Sequence, residues 1–308
     1  MLAIEAQNVS KTYKGIHVPA LDRISLQVEQ GQIFTLLGRN GAGKTTFVRL
    51  CATQLLPSSG SLKVLEYDVN NCAKKIRELI SIVPQEGRPL RALTPWDHVY
   101  NWLKIRGDSR HEARIKTENI LQKLELFKVK DKPAMNLSGG MKQKILVAMA
   151  MAVNTELMFL DEPTIGLDPV SRRQVWSLIQ ELKKRGTTIL LTTHYMDEAE
   201  ILSDKIFIIE NGRGIKEGTV SDLRNTIPQN IRVDLSKKNF DVELFKSYGT
   251  IIETGTNILR LFTFKSYVSE ISELAIKKDI SFNISPITLD DVFVYLVQNK
   301  IKNDEKFV

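Results

Sequence analysis

The chain has 308 residues, 43% of them hydrophobic and 26% charged, with a net charge of +7. That length allows one large or two moderate domains with a proper core. The charge suits polyanionic partners such as nucleotides, nucleic acid or an anionic membrane face, without choosing among them. Two cysteines, Cys51 and Cys72, exclude a disulfide framework and read as buried small hydrophobes. The longest apolar run, Ile145 to Val153, is far below the ~18 residues of a membrane span. The N-terminus lacks a signal-peptide layout, so a cytosolic chain is expected.

In chain order, the first stretch reads as antiparallel strands. Ile24, Leu26 and Val28 alternate with polar residues, the period of a half-buried strand. Gln32 to Leu37 is continuously apolar around Thr35, as a strand buried on both faces should be. It runs into the glycine-rich turn GRNGAGKTT and then a helical pattern, and Pro57 to Gly60 marks a turn. From Arg88 to Lys132, Val99, Leu103, Ile115, Ile120, Leu121, Leu124 and Leu126 recur at mostly helical spacing. Eleven Lys/Arg against six Asp/Glu make that segment basic (11 − 6 = +5).

Strand and helix then alternate. Leu157 to Leu160 is a strand ending at Asp161-Glu162. Val175, Ile179 and Leu182 mark a helix face that Gly186 can terminate. Thr188 to Leu191 is another strand, ending near His194, and Ile206 to Ile209 followed by Asn211-Gly212 suggests a hairpin. Such alternation implies a mainly parallel sheet with ligands at the strand C-terminal ends. After about Leu223 the order reads strand (Ile231 to Leu235), helix (Val242 to Tyr248), strand (Ile251 to Glu253), strand (Ile258 to Phe264), helix (Val268 to Ile276), strand (Ile280 to Ile284). That is the order of a ferredoxin-like unit, and a last helix, Leu289 to Val297, follows. The expected domains are 1–222 and 223–308, with a helical subdomain at about 88–150.

Gly38-x-x-x-x-Gly43-Lys44-Thr45 lies after a buried strand and before a helix, where a phosphate loop has to lie. Glycines let the backbone wrap phosphates, and the helix N-terminus points N–H groups at them. Lys44 would reach the β- and γ-phosphates and Thr45 would serve magnesium. By chance the pattern arises in roughly one chain of this length in a hundred.

Asp161 at a strand exit can hold magnesium and Glu162 can polarise a water, although an acidic strand end alone is more often a cap or a solvated turn. His194 could donate a hydrogen bond to developing charge, and a lone histidine is more often structural. Gln85 could ligate magnesium or orient water, against a plain surface role. Tyr13 could stack on adenine, or serve as a core or surface aromatic. In LSGGMKQKILVAMAMA, Ser138 is a good N-cap, and Gly139 and Gly140 leave the helix end open to anions. A chain with one such end at Lys44 has no obvious internal use for a second. A two-fold dimer would give it one; an ordinary capped helix is the alternative.

GRNGAGKTT, Gln85, LSGGMKQK, LMFLDEP, GLD and His194 resemble, in order and separation over Met1 to about Asp222, the motifs of the ATP-binding-cassette family. The resemblance implies an α/β fold: a P-loop NTPase cassette with a RecA-like parallel sheet core, an antiparallel β subdomain and a helical subdomain, followed here by a small α+β domain. It implies ATP and Mg2+ as ligands. Gly38, Arg39, Asn40, Gly41, Ala42, Gly43, Lys44, Thr45 and Thr46 would bind phosphate. Thr45, Gln85 and Asp161 would serve the metal. Glu162 would be the general base, His194 the switch histidine, and Tyr13 the adenine-stacking aromatic. Ser138, Gly139, Gly140 and Asp168 would act across a head-to-tail homodimer.

LSGGMKQK, LDEPTIGLDP and SPITLDDVF are similar to the daunorubicin-resistance-like exporter branch, whose membrane part is a separate chain. The expected partners are therefore a second copy and a multi-span permease, at the cytoplasmic face of the cell membrane, with no nucleic acid. The basic helical segment suits anionic headgroups or is a solvated face. A soluble cassette ATPase acting on nucleic acid or ribosomes, motivated by the charge, and an importer ATPase are the competing readings.

Overall fold

The computed structural model describes residues 1–236, 242–253 and 258–304. These fall into two compact units, Met1–Thr219 and Val220–Val308, a division at Thr219/Val220 where 222/223 was expected.

In the first unit, β1 (Leu2–Lys11), β2 (Leu21–Glu29), β4 (Ser59–Val64) and β5 (Tyr67–Asp68) form an antiparallel sheet in the order β2-β1-β4-β5. The six-stranded sheet has the order β10-β9-β3-β8-β7-β6. It is built from β3 (Ile33–Leu37), β6 (Ile80–Val83), β7 (Leu157–Asp161), β8 (Thr188–Thr193), β9 (Lys205–Glu210) and β10 (Arg213–Gly218). All neighbours in it are parallel except the β9–β10 hairpin. Every residue of β3, β7 and β8 is buried, which is why these strands read as unbroken apolar runs. Alternate residues serve opposite faces. Phe34, Leu36, Leu157 and Phe159 pack toward β1, β2 and α1 (Lys44–Cys51). Ile33, Met158, Leu160 and Leu191 pack toward the helices of the other face.

The remaining helices of this unit are α2 (Ala73–Leu79), α3 (Pro95–Ile105), α4 (Arg110–Lys123), α5 (Gly139–Met151), α6 (Pro169–Lys184) and α7 (Met196–Leu202). α3 and α4 start at reciprocal capping boxes, Thr94 with Asp97 and Ser109 with Glu112, each satisfying two otherwise orphaned donors. The helical segment therefore begins at Pro95, not Arg88. Val99, Leu103, Ile120, Leu121, Leu124 and Leu126 are buried as expected, but Ile115 is 47% exposed. The Arg106 guanidinium donates to the carbonyls of Arg77, Glu78 and Ile80, tying α3 to the end of α2 and the start of β6. Cys51 is buried and Cys72 only partly so, and both are free thiols.

The second unit has α8 (Val220–Arg224), β11 (Ile231–Ser236), β12 (Gly249–Glu253), β13 (Ile258–Thr263), α9 (Val268–Lys277), β14 (Phe282–Pro286) and α10 (Leu289–Asp304). Its antiparallel sheet has the order β12-β13-β11-β14. Val242–Tyr248 is a 3-10 helix, and the last strand begins two residues later than its apolar pattern suggested. Val233, Leu235, Leu259 and Leu261 pack on Phe245, Ile271 and Ala275. On α10, Asp291 is fully buried. It accepts hydrogen bonds from Thr288 and from the guanidinium groups of Arg232 and Arg260. Among the described residues no helix is long and apolar enough to cross a membrane.

Candidate nucleotide site at the C-terminal edge of the central sheet

Strand register assembles the site. Leu37 of β3 stands opposite Thr193 of β8, and Asp161 of β7 opposite Thr192. The phosphate loop, the Asp161-Glu162 pair and His194 therefore leave three neighbouring strands at one edge. Gln85 follows β6, which pairs with β7.

The loop from Gly38 to Gly43 leads directly into α1. Gly43 has φ +106°, and a Cβ there would lie 2.6 Å from the carbonyl oxygen of Ala20, so only glycine fits. The Asn211-Gly212 turn braces the loop from behind, since the Gly212 N–H donates to the Ala42 carbonyl at 3.0 Å. Arg39, Asn40 and Gly41 are exposed, whereas Lys44 is buried.

Lys44 Nζ donates to the carbonyls of Gly38 (2.7 Å) and Arg39 (3.1 Å) and lies 3.4 Å from Glu162 Oε1. Burial pulls its ammonium below the usual range, and the neighbouring Glu162 opposes that. Thr45 Oγ1 donates to Gln85 Oε1 at 2.9 Å and Asp161 Oδ1 at 3.2 Å. Thr192 Oγ1 donates to the same Asp161 oxygen at 2.5 Å. Burial pushes the Asp161 carboxyl up, with the hydrogen bonds from Thr192 and Thr45 opposing. A buried carboxyl converging with a hydroxyl and an amide oxygen is an all-oxygen donor set, the chemistry a hard cation such as Mg2+ takes.

Glu162 is buried and its backbone is left-handed, φ 51°, an uncommon conformation for a residue with a side chain. Its N–H is fixed by Thr192, through both the carbonyl and the hydroxyl at 3.1 Å, and its carbonyl closes a turn with the Ile165 N–H. Glu162 Oε2 and His194 Nδ1 lie 3.2 Å apart, and neither has a well-aligned hydrogen bond. Buried polar atoms left unsatisfied are costly, so this pair is prepared for a third group. Tyr13, half-buried, meets Thr46 Oγ1 through its hydroxyl at 3.2 Å, which sets its ring beside the loop.

Ser138, Gly139, Gly140 and Asp168 do not line this cleft. Ser138 caps α5 by accepting from the Met141 N–H at 3.2 Å, and a Cβ on Gly139 would meet nothing within 4 Å. Gly139 instead lines a separate cavity of about 480 Å3 with Arg88, Arg91, Met135, Lys142 and Gln143. Asp168 caps α6, accepting from the N–H groups of Val170 and Ser171 and the Ser171 hydroxyl. That hydroxyl bond holds its carboxyl below the usual range. Thr192 and Glu210 (the latter lining the cleft beside His194) were not found from sequence. Nothing in a local pattern tells that residues so far along the chain meet Asp161 and the loop.

A family model described as "ABC transporter" matches residues 21–165. The daunorubicin/doxorubicin resistance ATP-binding protein DrrA of Streptomyces peucetius is 38% identical over 229 residues, 74% of this chain and 69% of that protein. Among solved structures, a dimeric ATP-binding cassette in a post-hydrolysis state with ADP and Pi superimposes with a TM-score of 0.66. It shows 25% identity, covering 70% of this chain and 98% of that one. The cbiO1 protein of Clostridium perfringens, part of the ABC transporter complex cbiONQ, has a TM-score of 0.62. It shows 26% identity, covering 74% of this chain and 96% of that one.

Proposed function

This chain belongs to the ABC transporter family as an ATP-binding subunit and an ATPase, and from that premise we propose that it powers export through a separate membrane-spanning chain. The observation that carries the reading is the convergence of Lys44, Thr45, Asp161, Glu162 and His194 at one sheet edge.

On ATP binding, Lys44 exchanges Glu162 and the loop carbonyls for the β- and γ-phosphates, which the loop backbone wraps. Tyr13 stacks on adenine. Thr45, Gln85 and Asp161 would hold Mg2+, which would neutralise charge on the phosphates. Glu162 takes the proton of the attacking water. His194 donates a hydrogen bond to the charge developing on the transferred phosphoryl group.

The site is completed by a second copy. Ser138, Gly139 and Gly140 form an open helix end without a ligand of its own cleft, suited to an anion. A head-to-tail two-fold dimer sets it over the partner's nucleotide, and Asp168 acts across that interface. The dimeric relative with bound ADP and Pi supports this arrangement. Export is favoured by the likeness to a drug-resistance protein. An importer's extra barrel does not fit the open four-stranded sheet of the second unit. The basic segment from Arg88 to Lys132 suits a membrane partner at the cytoplasmic face, near anionic headgroups. The first unit, Met1–Thr219, acts as the cassette, with its helical subdomain starting at Pro95, and the second unit as an accessory domain.

Affinity purification of the tagged chain from gently solubilised membranes tests this reading. A multi-span protein is expected to co-purify. Recovery of ribosomes or RNA instead, lost at high salt, contradicts it.

A further inference from the structure

Among the described residues of the first unit, Glu198 is a buried carboxylate that takes no part in the proposed hydrolysis. Glu198 in α7 is fully buried, which glutamate tolerates only with partners. Its Oε1 accepts hydrogen bonds from Thr164 Oγ1 at 2.9 Å and Trp176 Nε1 at 2.8 Å; the Thr193 side chain lies near the same carboxyl, whose Oε2 has no well-aligned hydrogen bond. None of these partners carries a charge. Burial pushes the carboxyl above its ordinary range, and the adjacent Asp197 adds to the rise.

The three partners sit at informative places. Thr164 belongs to the turn that carries Glu162, closed by bonds from Ile165 N to Glu162 O (3.2 Å) and from Leu167 N to Thr164 O (3.1 Å). Thr193 immediately precedes His194. Trp176 is buried in α6, the helix that Asp168 starts. Glu198 thus joins the turn of the base, the strand end of the histidine and the helix between them. Glu162 has a left-handed backbone, and such strain persists only where the surroundings hold it.

We propose that Glu198 is a positioning residue that clamps the Glu162 turn to the His194 segment and so sets the Glu162–His194 approach on which hydrolysis depends. The proposal rests on the reading of Glu162 as general base. Glu198 accepts through Oε1, and glutamine keeps an acceptor oxygen of the same reach.

The test is steady-state ATP hydrolysis, ATP affinity and thermal melting for Glu198→Ala, Thr164→Val and Glu198→Gln. Loss of the clamp is expected to lower kcat about 10- to 100-fold in Glu198→Ala and Thr164→Val, with KM and ATP affinity near wild type. Glu198→Gln is expected to restore most of the turnover. Wild-type kcat in both clamp-breaking variants overturns the proposal, as does equal loss in Glu198→Gln and Glu198→Ala. If Glu198→Ala does not fold, Thr164→Val, which removes one hydroxyl at nearly constant shape, decides alone. Undiminished turnover in Glu162→Gln would sink the base reading instead, so the two failures are distinguishable.

Discussion

Glu162 is held by its neighbours more tightly than its sequence context suggests. Its N–H is satisfied twice by Thr192, its Oε1 faces Lys44 and its Oε2 faces His194. Glu162→Gln keeps the shape and removes the base, so turnover should fall by about 10²- to 10⁴-fold while ATP affinity persists and an ATP-bound dimer accumulates. Normal turnover with no dimer by light scattering would remove the assignment. Glu198 gives a pH-dependent expectation. Its folded-state pKa is raised, so the folded protein binds that proton more tightly than the unfolded chain. The associated stability is full below about pH 4.3 and is lost as pH rises from there through the folded value. Glu198→Gln cannot ionise, so its melting temperature should match wild type near pH 4 and exceed it increasingly at higher pH. A difference constant with pH would contradict the sign. Lys44, Thr45 and the Asp161-Glu162 pair, which the fold brings together, stood out in the sequence as candidates because they fall in short runs. Thr192 and Glu198 did not, because their contacts with Asp161 and Thr164 span 31 and 34 residues and exist only once strands and helices are paired.

At the scale of elements, the three buried strands were readable from unbroken apolar runs, and the β9–β10 hairpin from Asn211-Gly212. Both turn residues have positive φ, as a two-residue hairpin turn requires. Less legible were positions where one residue does two jobs. Asp168 lies in the GLD run attributed to the dimer interface, yet it is the N-cap of α6. Asp168→Ala should cost about 1 kcal/mol of stability, whereas Asp168→Asn keeps an acceptor for the same N–H groups and should melt near wild type. Both are expected to hydrolyse ATP slowly if the carboxylate also works across the interface. An Asn variant normal in both respects would make Asp168 a cap alone. The TLDDVF run shows the same duality. Thr288 and Asp291 exchange hydrogen bonds at the start of α10, a capping box spelled with aspartate. The same carboxylate neutralises Arg232 and Arg260. The T-x-x-D spacing was a readable helix start; the arginines, far back in the chain, were not.

At the scale of the whole molecule, the phosphate loop and the helix end at Gly139 belong to different clefts of one chain. The sequence hinted at this through its two anion-ready helix ends, and the proposed head-to-tail dimer would give each a use. Mixing two inactive variants addresses the point most directly. Lys44→Ala disables a protomer's own phosphate loop, and Ser138→Arg blocks the end it offers its partner. In a mixed dimer one site takes both defects and the other takes none. ATP hydrolysis by an equimolar, re-equilibrated mixture should therefore recover to about a quarter of the wild-type rate, while each variant alone stays inactive. A mixture as inactive as its components, with mixed dimers demonstrably formed, would contradict a nucleotide site shared between two copies of this chain.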